Sequence, residues 1–143
     1  MASVLVRTTV YDLIVASPAL HTAGFAADAV YPNYGPVSPP QRRFIVIRWG
    51  GTAPGVGRAN STDMALWFYD RDQDWAAIQA AIRICRPVEK GGAGLLDTLP
   101  GARMSATEAI LGLDWTGGST DLFDDVYEAN TRNEAYRVTA SGN

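Results

Sequence analysis

The chain has 143 residues, 47% of them hydrophobic and 19% charged, so it is long enough for one folded domain and unlike a disordered protein. Its net charge of −3 argues against tight nucleic-acid binding, which usually requires a basic surface. The single cysteine and single histidine exclude a disulfide framework and a multi-cysteine metal site. The apolar runs are too short for a membrane-spanning helix, and the first residues lack the pattern of a secretion signal. We therefore expect one domain over residues 1–143, formed in the cytoplasm and without membrane contact.

The chain begins with a predicted helix whose inner face has a 4, 3, 4 spacing: Val6, Val10, Leu13 and Ser17. This helix is expected to end before Pro18, because proline cannot continue it. The alanine-rich residues 19–30 could form a second short helix. Residues 31–40 contain four prolines and a glycine, which predicts an irregular connection.

Two strands are predicted next, over residues 43–49 and 62–69. Phe44 and Val46 face one way along the first strand, and the intervening apolar residues face the other. Residues 50–60 between the strands are rich in glycine, and we expect them to form a hairpin loop of about eleven residues, longer than usual. Long loops on rigid hairpins often carry function. We expect this loop to be mobile in an isolated subunit.

A second long helix is predicted from Asp72, its expected N-cap, to the residue before Pro87. One face carries a 3, 4, 3 stripe that we expect to be buried: Trp75, Ile78, Ile82 and Cys85.

Strands are predicted over residues 105–115 and 133–139, separated by an acidic connection over residues 117–130. The first of them would place four residues on one face: Ala109, Leu111, Leu113 and Trp115. The order predicts an α+β fold with a mostly antiparallel sheet of about four strands and helices packed on one face.

No pattern of residues specifies a chemical site. Residues 50–58 resemble a phosphate loop only in their glycines, because a strand rather than a helix follows. His21 has no acidic partner within helical reach, and residues 70–74 lack the glutamate of a calcium loop. We therefore predict no catalytic residue, cofactor or metal, although a small hydrolase using aspartate and His21 is an alternative.

Four tryptophans are more than a core of this size should bury completely, and both faces of the two central strands are apolar. One face can take the helices, so the other is expected to meet a neighbouring subunit. The candidate interface residues are Trp49, Gly51, Gly55, Arg58, Trp67, Tyr69, Asp121, Phe123 and Tyr127.

Four segments resemble a known family over nearly the whole chain. They are RFIVIRW (43–49), ALWFYDRDQDWAAIQAAI (65–82), the acidic STDLFDD (119–125) and TRNEAYRV (131–138). Together they resemble the tail terminator proteins of long-tailed phages that infect actinobacteria. The abundance of arginine over lysine fits a GC-rich host genome.

The resemblance implies a virion structural protein without enzyme activity or cofactor. Terminators form a ring, expected to be hexameric, on the head-proximal end of the tail tube, where they stop tube polymerisation. The implied partners are further copies of the chain, the tail tube protein and the head-completion proteins. Phage DNA would pass through the pore without specific binding. A neck or head-completion protein of the same phage class is the alternative.

Overall fold

The computed structural model describes residues 3–35, 38–55, 57, 59–86 and 94–141. Three helices are present in them: α1 (Val4–Val15), α2 (Pro18–Thr22) and α3 (Trp75–Cys85). The strands are β1 (Val30–Pro32), β2 (Arg43–Pro54), β3 (Ala59–Asp70), β4 (Ala109–Gly118), β5 (Leu122–Asp124) and β6 (Ala129–Ser141). Short 3-10 helices lie at Ala27–Ala29 and Leu95–Thr98. Among these helices, none has the length and apolar character needed to cross a membrane.

The strands form one sheet in the order β1-β2-β3-β6-β4, and β5 pairs with the first part of β6. The β1–β2 pair is parallel and the other pairs are antiparallel. The fold is therefore α+β as predicted, but the sheet is mixed and has six strands rather than about four. The two strands that were not predicted, β1 and β5, have three residues each, too few for an alternating pattern to show.

The helices pack on one face of the sheet through the stripes that the sequence predicted. In α1 the buried residues are Val6, Val10 and Ile14, so Ile14 takes the place expected of Leu13. In α3 Ile78, Ile82 and Cys85 are buried as expected, whereas Trp75 is only half-buried because it is the first residue of the helix. These side chains share one core with the inward-facing residues of the central strands: Ile45, Ile47, Met64, Leu66 and Phe68. The predicted alternation of both central strands is confirmed.

The predicted hairpin loop of eleven residues is wrong. β2 continues to Pro54 and β3 begins at Ala59, so only four residues connect them. The register of the pair shifts between Trp49 and Thr52, where Gly50 and Gly51 lie. Glycines are common at such bulges, which add a residue to one strand without ending the pairing. Most of the glycine-rich segment 50–60 therefore lies in the two paired strands rather than in a loop.

β4 also departs from simple alternation. Its register against β6 shifts between Ile110 and Gly112 and again between Trp115 and Gly117. As a result Ile110 is fully buried, whereas Leu111 and Trp115 are about half exposed. The expectation that Ala109, Leu111, Leu113 and Trp115 share one face is therefore wrong, because a bulge reverses which residues face the core.

The start of α3 depends on two aspartates other than the predicted one. Asp74 is the N-cap, and its carboxylate accepts from the backbone N–H of Ala76 at 3.0 Å. Asp70 is fully buried and accepts from the backbone N–H groups of Asp72 at 2.8 Å and Asp74 at 3.1 Å. Asp72, the expected cap, instead pairs with Arg42 on the surface at 3.3 Å. It lies too far before the first helical residue to cap it.

We expect Asp70→Ala to lower the free energy of unfolding by about 3 kcal/mol, because it removes a buried carboxylate that two backbone N–H groups and the Arg43 guanidinium share as an acceptor. Asp72→Ala is the matched control and should cost less than about 1 kcal/mol, since its ion pair is exposed. Urea unfolding of both variants checks this. Equal losses would show that Asp70 has no special part in the fold.

Cys85 is buried, as predicted, and burial raises the pKa of its thiol to about 12. Native protein should therefore react with a thiol reagent far more slowly than protein unfolded in urea. Because the folded thiol keeps its proton to a higher pH than the unfolded one, stability should fall as pH rises from about 9 towards 12. Labelling kinetics and alkaline unfolding curves test both points. Rapid labelling of the native protein would contradict this prediction.

Candidate functional site

Within the described ranges, no group of three or more His, Cys, Asp or Glu side chains could hold a metal ion. His21 lies on α2 at the surface, and its Nε2 is 2.7 Å from the backbone carbonyl oxygen of Val15. The acidic residues 70–74 make the hydrogen bonds of a helix start, as described above. Beyond these residues, the described part of the chain presents a second sheet face and two sheet edges.

The face of the sheet opposite the helices carries an aromatic cluster at one end. Phe44 and Tyr69 stack with ring centroids 4.6 Å apart, and the Tyr127 ring stands edge-on to both at 5.1 and 5.2 Å. Tyr69 is 1% exposed, and burial raises the pKa of its hydroxyl to about 12. Tyr69 and Tyr127, both candidate interface residues, thus pack against side chains of their own subunit.

Hydrogen bonds from Arg71 fix the segments that cover this aromatic cluster. Arg71 donates from Nε to the backbone oxygen of Tyr127 at 3.2 Å and from Nη1 to that of Pro39 at 2.8 Å. The turn before β6 and the proline-rich connection are thereby fastened to the end of β3. The expectation of an open apolar second face therefore does not hold at this end of the sheet.

Further along the same face the side chains become polar. The guanidinium of Arg48 lies over the Trp67 ring, 5.4 Å from its centroid. Arg137 Nε lies 3.4 Å from Asp63 Oδ1 between neighbouring strands. Trp67 is half-buried here, packed against the aromatic cluster. This part of the face is a solvated surface with one tryptophan, rather than a continuous apolar patch.

The outer edge formed by β4, β5 and the turn after β5 presents large apolar side chains to solvent: Leu111, Trp115, Leu122, Phe123 and Val126. Phe123 is 51% exposed. Its neighbour Asp121 lies 3.5 Å from Arg132 in an exposed ion pair. The structure therefore brings Asp121 and Phe123 together at this edge, whereas Tyr127 turns away into the aromatic cluster.

Trp115 is held at that edge by a buried carboxylate. Glu134 is 2% exposed and accepts from Arg86 Nη2 at 3.0 Å and from Trp115 Nε1 at 3.2 Å. The Arg86 guanidinium also lies 4.0 Å from the Trp115 ring centroid. Sequence reasoning did not single out Glu134 or Arg86. The signal was there, since Glu134 is in phase with the buried Tyr136 and Val138 on β6.

The opposite edge of the sheet carries a cavity of about 220 Å³ between α1 and the start of the sheet. It is lined by Val4, Arg7, Thr8, Tyr11, Pro32, Asn33, Ile47 and Trp49. An adjoining depression is lined by Arg7, Asn33, Tyr34, Arg48, Trp49 and Gly50. Trp49, a candidate interface residue, is thus part of a concave, basic and aromatic surface.

The remaining candidate residues lie on the β2–β3 hairpin. Gly51 and Gly55 are exposed, and the backbone N–H of Gly55 donates to Ala59 O at 2.8 Å. Arg58 lies outside the described residues. The structure thus distributes the eight candidates that it describes over the hairpin, the aromatic cluster, the face beside it and the two edges, rather than joining them in one patch.

No protein-family model matches the chain, and no curated protein matches it. Among solved structures, the chain is similar to one from the virion of a native gene transfer agent particle, with a TM-score of 0.65 and 16% sequence identity. The match covers 98% of this chain and 96% of that one. At this identity the likeness shows a shared fold, and the fold extends over nearly the full length of both chains.

Two glycines of β4 provide a test of the Glu134 network. A Cβ at Gly118 would collide with Glu134 Oε2, whereas a Cβ at Gly112 would meet no atom within 4 Å. We expect Gly118→Ala to lower the free energy of unfolding by about 1–3 kcal/mol, because the buried carboxylate loses its hydrogen-bond geometry. Gly112→Ala should be neutral within about 0.5 kcal/mol. Thermal unfolding checks the pair, and equal stability of the two variants would count against the network.

Proposed function

We propose that the protein is a virion structural component that acts as a tail terminator. Copies of it would form a ring, expected to be hexameric, on the head-proximal end of the tail tube. The ring would stop tube polymerisation and present a surface to the head-completion proteins. This assigns the protein to the neck region of the virion tail.

The observation that carries the proposal is the end-to-end fold match to a virion chain. A match over 98% of one chain and 96% of the other leaves little of either unaccounted for, so it concerns the whole folded unit rather than a common substructure. The resemblance to terminators comes from the sequence independently. Its segment 65–82 runs from β3 through the turn after Asp70 into α3, and the Asp70 carboxylate accepts two backbone hydrogen bonds within that turn.

The surfaces of the subunit suit a structural role. The two outer edges of the sheet differ, one being concave with arginines and the other carrying exposed apolar side chains beside aspartates. Contacts between unlike surfaces generate rings when the rotation closes. A net charge of −3 also suits a pore that DNA crosses, since a negatively charged protein does not retain phosphates. We propose no enzyme activity and no cofactor.

The proposal is tested by removing the gene from a phage that carries it. We expect particles with overlong tails that do not join heads, and rescue by the protein supplied in trans. Gold-labelled antibody on wild-type virions should mark the junction between tail and head. As a matched control, Asp72→Ala protein should rescue as well as wild type, because that exposed side chain makes only a surface ion pair.

Tails of normal length that fail to join heads would contradict the terminator role and favour the head-completion alternative. Normal, infectious particles without the protein would contradict both. Label along the whole tail tube would contradict the placement at its head-proximal end.

A further inference from the structure

We propose that Phe123 of one subunit inserts into the cavity between α1 and β2 of the next, and that this contact joins neighbouring copies of the chain. The inference rests on the proposed function, because it identifies the surfaces through which the ring would close. It concerns the two outer edges of the sheet, which lie at opposite ends of the strand order.

The cavity fits an aromatic ring. Its volume is about 220 Å³, and an apolar cavity of ~150 Å³ holds benzene. Val4, Tyr11, Ile47 and Trp49 provide apolar walls. Two exposed aromatic residues are described at the far edge, and Trp115 is held there by Glu134 and Arg86. Phe123 is the other, and it lies on a strand rather than a loop, so little conformational entropy is lost when it is buried.

The charges around the two surfaces are complementary. Arg7 lines the cavity, and Arg48 lies at the adjoining depression. Arg7 Nε is buried with no hydrogen-bond partner among the described residues. Phe123 is flanked by Asp121 on one side and by Asp124 and Asp125 on the other, while Arg132 compensates Asp121 only in part through a 3.5 Å exposed pair. Such complementarity favours this orientation and speeds association.

A contact through side chains is favoured over pairing of the two edge strands. β4 has two register shifts, and Gly117 has φ +146° at the second. At the opposite edge β1 has only three residues and ends at Pro32, and β2, which continues beyond it, has one shift and ends at Pro54. Neither proline has an N–H to donate. Bulges and prolines on edge strands prevent strand addition. Because the cavity and Phe123 are different surfaces of the same chain, the contact is head-to-tail, and its repetition gives a ring when the rotation between successive copies closes.

The test uses one variant on each side of the contact. Phe123→Asp removes the aromatic ring, and Thr8→Trp fills the cavity from the exposed face of α1 without changing Arg7. Leu111→Asp is the matched control, because Leu111 is equally exposed on the same edge but lies on β4. Native mass spectrometry and analytical ultracentrifugation measure the oligomers, and circular dichroism verifies folding.

Wild type and Leu111→Asp should form the same closed oligomer. Phe123→Asp and Thr8→Trp should each weaken self-association by about tenfold or more, the effect of losing a central aromatic anchor. An equimolar mixture of the two variants should give a dimer that grows no further, because each variant retains one intact surface. A dimer in the mixture but not in either variant alone is specific to head-to-tail contact.

As a second measurement, Phe123→Cys combined with Thr8→Cys should give a ladder of covalent oligomers on mild oxidation. Neither single variant should give one, since the native Cys85 is buried. The contact is overturned if the wild type stays monomeric at every soluble concentration and the double-cysteine variant gives no ladder. It is also overturned by a Phe123→Asp variant that still forms the wild-type ring, and in that case the proposed function stands. Normal virions in the absence of the protein would overturn the function and leave a measured contact intact.

Discussion

Asp70 occupies the point where β3 ends, opposite Arg43 of β2 on one side and Asn130 of β6 on the other. Its carboxylate is fully buried, so only protein donors can replace the water it loses on folding. Those donors are the backbone N–H groups of the turn that leads into α3 and the guanidinium of Arg43. The turn also needs Gln73 at φ +58°, a conformation that is rarely adopted unless surrounding contacts hold it. One side chain thereby fixes where α3 begins relative to the three central strands.

The position of α3 that Asp70 fixes also determines how the helix packs in the core. Once α3 starts at Trp75, its apolar stripe faces the inward side chains of β3, with Ile78 fully buried and Cys85 near the end of the helix. Arg86, directly after the helix, then reaches Glu134 on β6 and supports Trp115 on β4. A helix shifted by one residue would rotate its stripe by about 100° and lose these contacts together. The polar contacts at the two ends of α3 and the apolar core between them therefore depend on the same position of the helix.

Regular parts of this fold follow from the sequence, and irregular parts do not. The alternation of Phe44–Ile47 and Met64–Tyr69 and the stripe of α3 are local periodic patterns, so both central strands and the helix were predictable. The bulges near Gly50 and Gly112 were not, because a glycine in a strand and a glycine in a loop look alike without the partner strand. β1 and β5 are stabilised by pairing rather than by their own three residues. For the candidate interface, the sequence marked Trp49 and Phe123, but it also marked Tyr69, whose burial depends on a turn far along the chain.

That turn also determines which apolar surfaces of the subunit stay exposed. By folding Tyr127 over Phe44 and Tyr69, and by fastening it through Arg71, the subunit covers the most apolar part of its second face with its own residues. What remains exposed and apolar is divided between the β4–β5 edge and the rim of the cavity beside α1. Two unlike surfaces on opposite edges cannot satisfy each other within one chain. They can do so only between copies, and a contact between unlike surfaces of two copies is head-to-tail, which is the kind of contact that the proposed ring requires.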